Sequence, residues 1–359
     1  MTTDLTTDRI LGALLVSAGA DLATGRTIDG VRKLRRAAML APRSIAPMRE
    51  LARWCFEQAQ DVPRPRLEPF GPSAGKRSVS VVICSPDAPR SAAAVAHWHT
   101  MLDGLPHEVV PVIGPESLAA GLNAGLAAAI GDAVIFSHDD VRLLSRGAAR
   151  RLLGDLDHAD IVGLAGTDRL CSPSWVSSGW PHLFGQVIHA VPGGYSVSVY
   201  RPLRAMAPGM VALDGLLIAA RRDVARAIGF DSRRFDGFHL YDLDFTWRAT
   251  RAGFCLAVAG DVPVLHASTG NYGTDWSRYA DRFLDLHGDS LSDPMQRIDT
   301  YVQADFENLD HATRFCRALA RLYPAPQRQG GQDHLAAGGH GGTLHPSEVS
   351  DVPEKQVQP

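Results

Sequence analysis

Ser137, His138, Asp139 and Asp140 close a short apolar run, Ala133 to Phe136, and set an imidazole beside two adjacent carboxylates. The run has β-branched members and the length of a buried strand, which four consecutive polar residues must end. In an open α/β sheet, ligands bind just beyond the carboxyl ends of the strands. Two carboxylates and an imidazole at such an edge suit a divalent cation and the phosphates it carries. Taken alone, an acidic turn without a ligand is the plainer reading of this stretch.

A second acidic set, Asp242 and Asp244, lies in Phe235 to Phe245, where a helix begins that runs through Trp247 and Arg251 to Gly253. The helix macrodipole favours carboxylates in a first turn, so Asp244 needs no further role. Asp242 sits at the junction between an aromatic-rich turn and that helix, which points to chemistry. His266 ends another apolar run, Val262 to Leu265. By itself a histidine at a strand end is more often structural than a ligand.

The elements that must position these residues follow from patterning. Val79 to Cys84 reads as the first strand of a domain, with the turn Ser85-Pro86-Asp87 leading into a helix around Ala92 to Leu102. Glu108 to Ile113 is a second strand, marked as an edge or distorted strand by Pro111. Ser117 caps a helix whose Leu118, Leu122, Leu126 and Ile130 recur every fourth residue before Gly131 ends it. Strand, helix, strand, helix, strand with short joints predicts a parallel α/β sheet. Ser145 starts a further helix, Ile161 to Ala165 and Leu216 to Ala220 are strands, and Trp276 to Leu286 is a closing helix. Gly166 to Gly209 shows no clear period and reads as a long loop, whose Trp175, Trp180, Tyr195 and Tyr200 could wall an acceptor or stack a base.

Upstream, residues 1–60 read as helices, with a small-residue pair followed by Leu40-Ala41-Pro42 and a third helix from Ile45 to Gln58. The pattern is like a single tetratricopeptide-type repeat, which cannot bury its own apolar face and must pack on the main domain, on a partner or on a second copy. A plain helical cap is an equal reading. Residues 61–77 are a Pro/Gly linker, 78–290 the main domain, 291–324 a helical extension, and 325–359 a Gly/Pro/Gln-rich disordered tail.

The formal net charge of -3 and a pI near 6.5 leave no global field to recruit nucleic acid. Five scattered cysteines without a CxxC pair argue against a disulfide framework or zinc ribbon and fit a cytoplasmic setting. Ile10 to Val16 is too short to span a bilayer and lacks a basic leader, so neither a membrane span nor a signal peptide is expected.

Five blocks in order, VSVVICS, SLAAGLNAGLAAAIGDAVIFSHDDV, LDGLLIAARRDV, FDGFHLYDLDF and VLHASTGNY with Trp276, resemble the nucleotide-sugar glycosyltransferases of the family-2 type. Within them the chain most resembles the bacterial group associated with streptomycin biosynthesis. The likeness covers about Val79 to His287 and implies a GT-A fold: a mixed, mostly parallel sheet flanked by helices. It places His138-Asp139-Asp140 at the DxD position. Asp140, with His266 and His138, would then hold Mg²⁺ or Mn²⁺ against the donor diphosphate. Donor-binding roles fall to Ser85, Asp87, Asn123, His138, Asp139, Asp214 and Gly215, and the catalytic carboxylate to Asp242. The implied reaction is a single inverting displacement in which Asp242 takes the proton of an acceptor hydroxyl, the acceptor being a saccharide, a lipid-linked group or a protein.

Three departures from the pattern stand out. His138 replaces an acid, Gly114-Pro115 replaces an acidic base contact, and Tyr241 stands where another acid is common. A nucleotidyltransferase is the rival enzyme reading, weakened by the lack of a basic glycine-rich loop after Cys84. A non-catalytic nucleotide-sugar-binding module would not require Asp242.

Overall fold

The computed structural model describes residues 5–59, 77–145, 147–268, 273–294 and 300–323. The expected linker up to residue 76, the expected tail and Gly270-Asn271-Tyr272 lie outside the described residues.

Val79–Ser85 (β1) is buried at every position, as a run covered on both faces must be. Ala88–Met101 (α4) follows, with Leu5–Ala23 (α1), Thr27–Leu40 (α2) and Ala46–Ala59 (α3) preceding it. His107–Ile113 (β2), Leu118–Ala128 (α5) and Ala133–His138 (β3) complete the opening parallel unit. Asp87 caps α4 by accepting from the Arg90 amide at 2.9 Å, and Ser117 caps α5 by accepting from Ala120 at 3.1 Å. Both caps fix where a helix leaves the edge at which β1 and β3 end.

The chain then alternates between two sheets. Val141–Leu143 (β4), Ala148–Asp155 (α6), Ile161–Gly163 (β5), Ala165–Thr167 (β6), Leu183–Val191 (β7), Gly194–Arg201 (β8), Ala207–Met210 (β9), Ala212–Leu213 (β10) and Leu217–Arg221 (β11) come next. Arg222–Ile228 (α7), Tyr241–Arg251 (α8), Leu256–Val258 (β12), Val264–His266 (β13), Thr274–His287 (α9), Val302–Phe306 (β14) and Leu309–Leu322 (α10) close the described fold. The first sheet has the order β2-β1-β3-β11-β5-β12-β9 and the second β10-β6-β7-β13-β4, with β8 added beside β7 and β14 beside β8. The architecture is α/β, two mixed sheets flanked by helices. β2, β1 and β3 are parallel, whereas β11 runs antiparallel to β3 and β5.

Half of the stretch expected to be a long loop is sheet. Gly166 to Gly209 contributes β7, β8 and β9 and part of β6, and β7 and β8 form an antiparallel hairpin whose turn carries Gly193 at φ 84°. The alternation in GYSVSVYR is the period of a strand with two unlike faces. Residues 302–322, expected as a helical extension, form β14 against β8 before α10 begins. Helix α6 starts at Ala148 rather than Ser145.

Two hydrophobic cores follow from this layout. The larger lies on both faces of the first sheet and includes Trp98, Ile135, Phe235, Phe245 and Phe283. The second joins α1–α3, through Leu34, Met48, Leu51 and Cys55, to Ile188, Val197, Val199, Phe306 and Phe315 of β7, β8, β14 and α10. The N-terminal helices therefore bury their apolar stripe on the second sheet. Trp180 reaches across to donate to the Pro42 carbonyl at 3.2 Å.

Candidate active site

Strand register assembles the site. On β1 and β3, Cys84 pairs with His138, so Ser85 and Asp139 emerge side by side at the same sheet edge. Asp139 and Asp140 occupy the step where the chain leaves the first sheet (β3) for the second (β4). β11 runs antiparallel to β3 with Leu217 opposite Ser137, which lays Asp214-Gly215-Leu216 over the end of β3, and the His138 amide donates to the Leu216 carbonyl at 3.1 Å. In the second sheet His266 lies between Val141 of β4 and His189 of β7. Residues distant in sequence thus meet because β1, β3 and β13 end, and β4 and β11 begin, at one edge.

His138, Asp140 and His266 form the group that the sequence singled out for a metal: one ligand atom from each lies within 4.8 Å of the others. His138 Nδ1 and His266 Nε2 are 3.3 Å apart, and His266 Nε2 is 3.4 Å from Asp140 Oδ1. Such spacings fit three ligands sharing one ion with bonds of about 2.1 Å. The other ring nitrogen of His138, Nε2, is held at 2.7 Å by the Tyr241 hydroxyl, the outer contact that orients a metal-binding imidazole. Two imidazoles and one carboxylate suit a borderline divalent ion better than an all-oxygen set would. Burial opposes charge on Asp140, but the hydrogen bond and charge of His266 overcome it and hold the carboxyl well below the usual range. Burial would lower His266, yet its partnership with Asp140 raises it. His138 is lowered, by burial and then by the charge of His266.

Asp242 is placed differently. Leu240 enters α8 in the left-handed region at φ 59°, a costly conformation for a branched side chain, and the next two residues turn Tyr241 and Asp242 toward the cleft. The Gly215 amide donates to Asp242 Oδ2 at 2.7 Å. A Cβ on Gly215 would sit 2.6 Å from the Asp242 Cβ, so only glycine admits this approach. Burial and then the charge of Asp214 push the Asp242 carboxyl up to about 7, against the pull of backbone amides. Asp214 itself accepts from Trp175 Nε1 at 3.1 Å and from the Leu216 amide at 2.9 Å.

Two clefts meet here, sharing His138 and Phe238. One, of about 450 Å³, is lined by Ser85, Arg90, Pro115, Asp139, Asp140 and Ser268 among others. In it Asp139 accepts from Ser85 at 2.5 Å and from Arg90 at 2.8 Å, so both its oxygens are engaged. The other, also about 450 Å³, holds Asp214, Gly215, Asp242, His189 and His266 beneath aromatic walls.

Not every expected residue reaches the clefts. Asn123 clasps the backbone of Phe230 with both ends of its amide, at 2.7 and 2.9 Å, and lines neither cleft. Asp87 is spent as the α4 cap and lies outside both linings. Asp244 pairs with Arg248 at 2.8 Å and His287 at 2.9 Å, a buried structural role. Conversely, Arg90 and His189 stand in the site without having been singled out. Arg90 is hidden in the first turn of a helix, and His189 in a strand that was read as loop; the β-branched and aromatic residues of LFGQVIHAV were the available signal.

Residues 80–287 match the sequence model of the Glycosyltransferase like family. The chain belongs to that family. No curated protein sequence matches it. Among solved structures, this glycosyltransferase-like chain is similar to the mannosyltransferase PcManGT from Pyrobaculum calidifontis, in complex with GDP-Man and Mn²⁺ (13% identity, TM-score 0.38, 81% of each chain covered). It is also similar to GalNAc-T7 with UDP, GalNAc and Mn²⁺ (12% identity, TM-score 0.39, 60% of this chain and 48% of the other). No helix among the described residues is long and apolar enough to cross a membrane.

Proposed function

We propose that the protein transfers a sugar from a nucleoside-diphosphate sugar to an acceptor hydroxyl by a single displacement with inversion. The observation that carries this reading is the placement of Asp242 on the wall of the same cleft as His138 and His266, which share Asp140. Family membership supports sugar transfer, and the five ordered sequence blocks support the likeness to the streptomycin-associated group.

In this reading His138, Asp140 and His266 hold the divalent ion, Mn²⁺ or Mg²⁺, which when bound supplies positive charge against the diphosphate as it leaves. Tyr241 keeps His138 Nδ1 turned toward that position. Ser85, Asp139 and Arg90 form the wall on which the nucleotide lies. Asp242 is the base: its carboxylate accepts the proton of the acceptor hydroxyl as the new bond forms. Gly215 fixes the carboxylate through Oδ2. A carboxyl pushed up to about 7 is a stronger base than an ordinary one and is half ionised near neutral pH. A reducing, cytoplasmic setting fits the five free cysteines, three of them buried.

The test is to incubate the protein with Mn²⁺ and a panel of UDP-, GDP-, dTDP- and CMP-sugars and follow release of nucleotide. Metal-dependent turnover of one donor is the expected result. A panel in which no donor binds or turns over, with or without metal, rejects the proposal.

A further inference from the structure

The cleft that holds Asp242 has a chemistry of its own. Its floor is a row of aromatic rings: Trp175 lies 4.8 Å from Tyr200, and Tyr200 lies 5.2 Å from Tyr301, centre to centre. Phe238, 55% exposed, stands at the lip shared with the neighbouring cleft. Between the rings the second sheet contributes small neutral hydrogen-bonding groups. Ser196 and Ser198 come from β8, and Gln303 of β14 donates to the Ser196 hydroxyl at 2.8 Å. Among the described residues of this lining there is no lysine or arginine, and the carboxylates present are Asp214 and Asp242. The neighbouring cleft does carry a cation, Arg90.

We propose that this cleft receives an uncharged saccharide as the acceptor. The inference rests on the glycosyl-transfer reading above and names the substrate class of its second site. Aromatic faces carry partial negative charge and attract the weakly positive C–H groups on the apolar face of a sugar ring. Hydroxyls around such a ring both donate and accept, which serine hydroxyls and a glutamine amide can answer in either direction. A phosphate, uronate or polyanionic acceptor would meet the Asp214 and Asp242 carboxylates with no lysine or arginine among the described residues of the lining to pair with, and would lose hydration there. Nucleic acid depends on lysine and arginine for most of its affinity and is disfavoured for the same reason. The volume of about 450 Å³ falls in the range of small-molecule sites. The two carboxylates thus work as a repulsive element in specificity as well as in the reaction.

The experiment is ligand titration of the full chain, read by saturation-transfer NMR and tryptophan fluorescence. The probes are cellobiose and maltose as neutral saccharides, and glucuronic acid and glucose 6-phosphate as charged ones. The neutral sugars are expected to bind at least tenfold more tightly than the charged ones. Tyr301→Ala and, at an exposed position of β14, Gln303→Ala are each expected to weaken them tenfold or more. Charged sugars that bind as well as neutral ones overturn the proposal, as do two folded variants that bind like the parent. GDP and UDP with Mn²⁺ are titrated in parallel. Nucleotide binding without saccharide binding defeats the acceptor assignment alone, whereas loss of nucleotide binding defeats the reading beneath it.

Discussion

The clefts on either side of His138 are of similar size, yet they treat their carboxylates in opposite ways. On the Arg90 side, Asp139 is held by a hydroxyl and a guanidinium, and Asp140 is drawn down by His266. The charge of Asp140 is secured there by its partner. On the aromatic side Asp242 has only backbone amides and a neighbouring acid, so burial wins and the carboxyl is raised to about 7. A permanently ionised group can hold a cation; one poised near neutrality can exchange a proton. Two environments that meet at His138 divide the roles.

The largest test of that division is Asp242→Asn. Transfer is expected to fall by about two to four orders of magnitude, the size of general-base assistance, while nucleotide affinity stays near that of the parent. Parent-rate transfer would end the contrast. Next is the opposite side: Asp140→Ala should remove the rise in melting temperature caused by Mn²⁺, because one of three ligands is gone. Tyr241→Phe keeps all three ligands and frees His138 Nε2, so the same Mn²⁺ titration should weaken about 10- to 100-fold, as outer-contact losses do. Gly215→Ala pushes directly on Asp242 and should cost about a hundredfold in transfer, since a displacement near 1 Å is enough for that.

A finer test uses pH. Asp242 must be ionised to accept a proton, so kcat/KM should climb about tenfold per pH unit below 7 and flatten above it. Asp242→Asn should erase that step. The smallest effect is expected at Asp87, which caps α4 outside both clefts: Asp87→Ala should cost about 1 kcal/mol of stability in a denaturant titration.

How much of this was legible beforehand differs by element. β1, α5 and β3 could be read directly, because continuous apolar runs and a four-residue leucine spacing are local signals. β7 and β8 were missed, since short alternation broken by Gly185 and turned at Gly193 reads as irregular until a partner strand supplies its register. The N-terminal helices were legible as helices. Their contact with the second sheet was not, because an apolar stripe does not say what covers it.

The sequence by itself determined the parallel opening of the sheet, the polar stop at residues 137–140 and the acidic start of α8, since each depends on residues near one another in the chain. Tertiary structure alone decided that His138, Asp140 and His266 share one point, that Asp242 is raised while Asp140 is lowered, and that Asn123 clasps the Phe230 backbone. Register between strands and the depth of burial set those outcomes. Both arise from contacts between segments up to 128 residues apart, as for His138 and His266.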